Sequence, residues 1–300
     1  MAMVRGLALA EAPSKVSVRV DAAGPADVGS GQNSHGSECG GPTTQSKGHD
    51  GLGEGRPHGG DRLPPVSEPP GPTAHEYMRV DRDGAITTVT FNRPERRNGL
   101  NSAMLREFEA LLHQVRDDRV TRALIVTGTG VAFCAGAEPA AVSEQAGRGD
   151  LSGSPAGGPR MIGRIFDELA HLEVMTVAAV NGHAIGGGWS LALAADYCLA
   201  VPEAEFWVPE VDFGVPFRGL SSFALTHRLG PWLAKEATIL CRHFGAEELC
   251  RLGVVNRVVA PEDLMSEARA VAERFAAQPA RAANATKRDV NAVLYGSRHY

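Results

Sequence analysis

Val177-Ala178-Ala179-Val180-Asn181-Gly182-His183-Ala184-Ile185-Gly186-Gly187-Gly188-Trp189-Ser190 is the stretch on which the reading of this chain turns. Val177 to Val180 is a short apolar run bounded by Asn181-Gly182, the pattern of a buried strand ending in a turn. Three glycines follow, and after them a small-residue segment, Trp189 to Asp196, suited to a tightly packed helix. Glycines at a strand-to-helix junction let the backbone approach closely and leave N–H groups free at the helix start, a place that suits negative charge. Further on, Pro209-Glu210 sets a carboxylate among Phe206, Trp207, Val208 and Val211. Backbone donors and one carboxylate together suit work on an activated carbonyl.

Working outward, strand and helix patterns alternate. Met78-Arg79-Val80 and Ala85 to Phe91 predict two strands joined by a turn over Asp81 to Gly84. Asn101-Ser102 are helix caps, and Met104, Leu105, Phe108, Leu111, Leu112 and Val115 recur at helical spacing. Ala123 to Gly128 is a continuous apolar run of the kind a parallel strand buried on both faces carries. A polar, glycine-rich loop from about Ser143 to Pro159 precedes a helix over 161–172. Downstream, helices are expected through about Arg228, from Pro231 to Leu240, over 246–253 with a glycine cap, and over 261–277 and 279–294, with a strand over 254–259. Such alternation indicates an α/β fold.

Residues 1 to about 75 stand apart. They hold 14 of the 35 glycines and 9 of the 19 prolines, and the first aromatic residue of the chain is Tyr77. From Asp21 to Ala74 the large apolar residues are Val28, Leu52, Leu63 and Val66 alone, too few to offset the entropy of ordering, so disorder is expected over 1–75 and one folded domain over 76–300. A net charge of −5 provides no basic footprint for nucleic acid. The five cysteines are scattered without metal-ligand spacing, and no phosphate-binding loop or dinucleotide fingerprint occurs, so no metal, flavin or nicotinamide cofactor is expected. Apolar runs fall short of the roughly 18 residues of a membrane helix, and no secretory signal is evident, which points to the cytoplasm.

Five motifs in register resemble the crotonase (enoyl-CoA hydratase/isomerase) family. They are Phe91-Asn92-Arg93-Pro94 with Asn98-Gly99-Leu100; Phe133 to Glu138; Asn181 to Gly188; Phe206 to Glu210; and Leu252 to Val259. The resemblance implies a crotonase-type (ClpP/crotonase-like) core of β-β-α superhelix with C-terminal helices, an acyl-CoA thioester substrate, and a homotrimer or hexamer. It implies oxyanion donation from the amides of Ala137 and Gly187, with Glu210 as acid/base. By position, coenzyme A would be held around Arg96, Arg97, Gly99 and Ala135, with Lys287 near its nucleotide. A hydratase of this family carries a further glutamate two residues after the glycines, where this chain has Ser190. One carboxylate suffices to move a proton between C2 and C4, so the expectation tilts to an isomerase that shifts a double bond from position 3 to position 2. A hydratase with a modified site and a non-catalytic paralogue are the alternatives. A serine hydrolase built on Gly188-Trp189-Ser190-Leu191-Ala192 is a remote one, since Ala192 stands where its second glycine belongs. Arg218, where the family has small residues, is a candidate for pairing with a substrate carboxylate or hydroxyl, and Ser190 for bonding within its helix or holding a water in place of the missing glutamate.

Overall fold

The computed structural model describes residues 75–138 and 158–295. The glycine- and proline-rich extension and most of the 143–159 loop lie outside these residues. Among the described residues ten strands form two sheets. In the larger, ordered β1-β2-β3-β5-β7-β10, β1 (Met78–Asp83) pairs antiparallel with β2 (Ile86–Phe91) as a hairpin. From β2 onward every pairing is parallel, through β3 (Ala123–Gly128), β5 (Met175–Val180), β7 (Tyr197–Ala200) and β10 (Arg257–Val258). The first five residues of β3 are all buried, as its unbroken apolar run requires of a central strand.

The helices are placed by their apolar faces. α1 (Ser102–Asp117) starts at Asn101, whose Oδ1 accepts from the Met104 amide at 2.8 Å, a cap worth about 1 kcal/mol. Its buried stripe from Met104 to Val115 meets the sheet, with Phe108 edge-on to Phe91 at 5.2 Å between ring centres. α2 (Gly158–Ala170) packs beside α1 and against α3 (Gly187–Ala194). All eight residues of α3 are buried, as a helix without a solvent-facing polar side requires. α4 (Leu220–Ile239) is broken at Gly230 (φ 72°), directly before Pro231, so the two helices expected there are present as two arms of one kinked element. α5 (Ala246–Arg251) and α6 (Leu264–Ala276) follow, the latter lying across β3 and β5, and α7 (Ala280–Tyr295) ends the described chain.

Two differences from the sequence expectation have physical causes. The strand expected over 254–259 is reduced to Arg257–Val258, because the amides of Val254 and Val255 both turn back to Leu249 O to close α5. The second sheet, β4-β6-β8-β9, is built from β4 (Ala132–Cys134), β6 (His183–Ile185), β8 (Glu205–Trp207) and β9 (Phe244–Gly245). Segments of two or three residues are too short to show a two-residue period. This small sheet connects the segments that form the site.

Candidate active site

Three segments converge at the N-terminal end of α3. The first is a pair of loops knitted through their backbones. Ala135 N donates to Arg97 O (2.9 Å), Leu100 N to Gly136 O (2.7 Å) and Glu138 N to Leu100 O (3.2 Å). This is a parallel bridge between Leu100 and Ala137. The bridge uses the groups flanking Ala137, so the N–H of Ala137 itself is directed to the other side of its strand. Asn98 locks the turn: its Oδ1 accepts from Arg93 N at 2.9 Å, and its Nδ2 donates to Thr129 O and Ala132 O. It is fully buried with a positive φ of 54°, a conformation asparagine tolerates better than most residues.

The second segment is the glycine triplet. Gly186 (φ 50°) precedes α3, and its amide donates to Trp207 O at 2.9 Å. Gly187 is the first residue of α3, where a helix leaves its N–H groups without intrahelical acceptors. A side chain on Gly136 would lie 3.1 Å from Gly187 N, so the two loops approach each other closely beside the Gly187 amide. Gly188 is obligatory for a different reason: the carbonyl of Cys134 occupies the space its side chain would need. The strands β4 and β6, paired in parallel, hold these loops in place.

The third segment supplies the carboxylate. β8 leads through Val208-Pro209 into a 3-10 turn over Glu210–Phe213. Glu210 Oε1 fills the space where a Gly186 side chain would begin, so the third glycine requirement is room for this acid. Glu210 Oε2 is buried and has no hydrogen-bond partner among the described residues. Burial pushes the carboxyl up to about 7, only partly offset by its own backbone N–H. A carboxyl so poised exchanges protons near neutrality.

The sequence-derived candidates separate into two groups. Arg97, Gly99, Ala135, Ala137, Gly187 and Glu210 lie on the three converging segments, and Arg96 is exposed beside them on the 3-10 turn Pro94–Arg96. Ser190 is buried, and its hydroxyl donates to Gly186 O at 3.2 Å, the back-bond of a helix residue. As the fourth residue of α3 it is not on a strand-to-helix elbow, which removes the geometry a serine nucleophile needs. Arg218 is exposed on the connection between the Glu210 turn and α4. Lys287, expected near the nucleotide, is engaged within the fold. Its side chain is 5% exposed, and the ammonium donates to Asp196 Oδ2 (2.7 Å) and Val174 O (2.9 Å). A buried ion pair fastening α7 to the sheet leaves that charge committed. His183 turns toward Glu205 and the ring of Trp207 on the outer side of the small sheet. The buried thiols of Cys134 and Cys198 are pushed up to about 12, and neither offers a thiolate.

Sequence reasoning assigned no role to Arg93, Asn98 or Glu138, although all three stand in the motifs quoted above. Their partners lie 5 to 45 positions away, and no local pattern announces such bonds.

The close-approaching loops and the buried carboxyl against Gly186, raised to about 7, bring together the kinds of group that suit stabilising an enolate next to a carbonyl. The chain belongs to the enoyl-CoA hydratase/isomerase family: its family model matches residues 81–298. Among relatives, the short-chain-enoyl-CoA hydratase of Clostridium acetobutylicum is 32% identical over 214 residues, 71% of this chain and 80% of that protein. Among solved structures, an enoyl-CoA hydratase subunit from Geobacillus kaustophilus superposes with a TM-score of 0.64 at 33% identity, covering 73% of this chain and 82% of that one. A monofunctional enoyl-CoA isomerase from M. smegmatis gives 0.61 at 29% identity, covering 73% and 93%. The fold is therefore of crotonase type and the protein an enzyme of this family.

Proposed function

We propose that this enzyme isomerises 3-enoyl-CoA thioesters to their conjugated 2-enoyl isomers. The thioester oxygen accepts from the amides of Ala137 and Gly187, which acidifies C2. The ionised Glu210 removes a C2 proton, and the dienolate that forms carries its charge on the oxygen between the two amides. The same carboxylic acid then returns the proton to C4, so the product has the composition of the substrate and Glu210 ends ionised. Each preorganised donor of this kind is worth roughly 3–4 kcal/mol of barrier, and the acid/base group a further factor of about 10²–10⁴ in rate. No component beyond the thioester is required. We place the reaction in the cytoplasm and expect a trimer or hexamer.

The observation that carries this reading is the buried carboxyl against Gly186, raised to about 7, with a helix-bonded serine where a hydratase has a second carboxylate. Addition of water needs one group to deprotonate it and another to protonate the adjacent carbon. The second reading is hydration, favoured by the hydratase names of relatives such as the clostridial protein. Following the conjugated-thioester absorbance separates them. A rise with 3-enoyl-CoA and no decay with crotonyl-CoA is the expected result; decay with crotonyl-CoA overturns isomerisation in favour of hydration. Silence with both substrates removes the proposed reaction.

A further inference from the structure

Arg93 is the residue of the first motif with the most unusual environment. Its side chain is only 13% exposed, and one nitrogen, Nη1, donates both to Gly99 O (2.5 Å) and to Glu138 Oε1 (2.6 Å). Its backbone N–H is held by Asn98 Oδ1, and its guanidinium lies 5.4 Å from the centre of the Tyr77 ring. Gly99 and Glu138 each sit one residue from the Leu100–Ala137 bridge, on opposite strands of it. That bridge consists of two backbone hydrogen bonds, of 2.7 and 3.2 Å. With Ala135 N to Arg97 O, these bonds join the two loops through backbone alone; the guanidinium adds a side-chain connection across the far end of the pair.

We propose that Arg93 is a positioning residue for the oxyanion site: it clamps the Gly99–Leu100 and Ala137–Glu138 segments so that the Ala137 amide keeps its direction, and it neutralises the Glu138 carboxylate beside that amide. The proposal rests on the reading of Ala137 as an oxyanion donor. An unpaired carboxylate one residue from a developing enolate opposes it, and a donor displaced by about 1 Å costs on the order of 100-fold in rate. The charge pair and the clamp therefore act on the same step.

The test is steady-state kinetics of Arg93→Met, Glu138→Ala and the double variant, with amide hydrogen exchange of residues 135–138 measured in parallel on the full chain. Expected for Arg93→Met is a kcat lower by about 10- to 100-fold with KM within about threefold, and faster exchange at residues 135–138 than in the unsubstituted enzyme. Because both residues serve one contact, the double variant is expected to lose no more than the worse single variant. A residue that only supported the fold would shift the melting temperature and leave kcat of the surviving folded protein unchanged. A kcat within about twofold of the starting enzyme in Arg93→Met, or losses that multiply in the double variant, overturns the proposal. If Arg93→Met does not fold, Glu138→Ala breaks the same contact from its more exposed side, and an unchanged kcat with unchanged exchange at residues 135–138 there overturns the clamp. If the unsubstituted enzyme turns over no enoyl-CoA, the reaction assignment fails by itself; unchanged exchange at residues 135–138 in Arg93→Met then rejects the clamp, and faster exchange sustains it.

Discussion

Glu210 is under two opposed demands. Its folded-state value of about 7 lies above the ordinary 4.5, so burial favours the neutral acid. Between these values the folded protein binds more protons at this position than the unfolded chain. The stability it contributes is fully present below about 4.5 and is lost as pH rises through about 7. Glu210→Gln removes that penalty without changing shape. The variant is expected to be more stable at pH 8 by on the order of 1–3 kcal/mol, a gain that vanishes near pH 4.5, when thermal melts of the two proteins are compared across pH. Its turnover of 3-enoyl-CoA is expected to fall by about 10²–10⁴-fold. In the unsubstituted enzyme, kcat/KM rises with pH and levels off above about 7, as the base form fills. Near-normal turnover of Glu210→Gln, or a rate profile flat from pH 5 to 8, would remove Glu210 from the chemistry. Glu210 was legible as a candidate acid because a carboxylate among apolar residues is conspicuous in any sequence. The requirement for Gly186 was legible as a glycine but not as room for Glu210, since the two meet only in three dimensions.

At the scale of elements, the strands and helices that could be read in advance are those long enough to display a period. α1 shows a six-residue buried stripe and a cap, and β3 an unbroken apolar run. The small sheet was invisible, although β6 and β8 align the glycine triplet with Glu210 through the pairing of Ile185 with Trp207. Its strands are held by packing such as Trp189 against Phe206 and Phe244, with ring centres 5.7 and 5.9 Å apart, and not by any property of three residues. α7 shows the converse case, a helix legible in the sequence whose lysine makes buried bonds that the sequence did not announce. Lys287 and Asn291 carry buried bonds from α7 to Asp196, Val174 O and Ala170 O. Asp196 also accepts from the amide and hydroxyl of Thr176, so removing the ammonium leaves a buried carboxylate short of its cation. Lys287→Ala is expected to cost about 3–5 kcal/mol in denaturant unfolding. The KM for the acyl-CoA of the remaining folded enzyme should stay unchanged. A raised KM with unaltered stability would restore the nucleotide contact that the family resemblance implied.

At the scale of the whole molecule, the described surface is unusual along α4 and the turn before it. Phe213, Phe223, Trp232, Ile239 and Leu240 are 57–76% exposed, and Val290 and Val293 on α7 add 53% and 82%. Single exposed apolar residues are ordinary, but large aromatic and aliphatic side chains repeated on adjoining elements suit a surface that a neighbouring chain covers. α4 and α7 pack against each other. α4 also begins close behind the Glu210 turn, so an assembly built on this face would buttress the segment that carries the acid. Closed symmetric assembly is the usual solution for such a face, because it satisfies every copy equally. For the proposed trimer or hexamer, sedimentation equilibrium is expected to return three or six times the 31.6 kDa chain mass. Trp232→Glu places a charge where the highest exposure of the α4 group occurs and should shift the population toward the single chain, with a loss of activity that increases on dilution. A monomeric mass for the unsubstituted protein at micromolar concentration defeats the assembly. Concentration-independent activity in Trp232→Glu would show instead that the Glu210 segment holds its geometry within one chain.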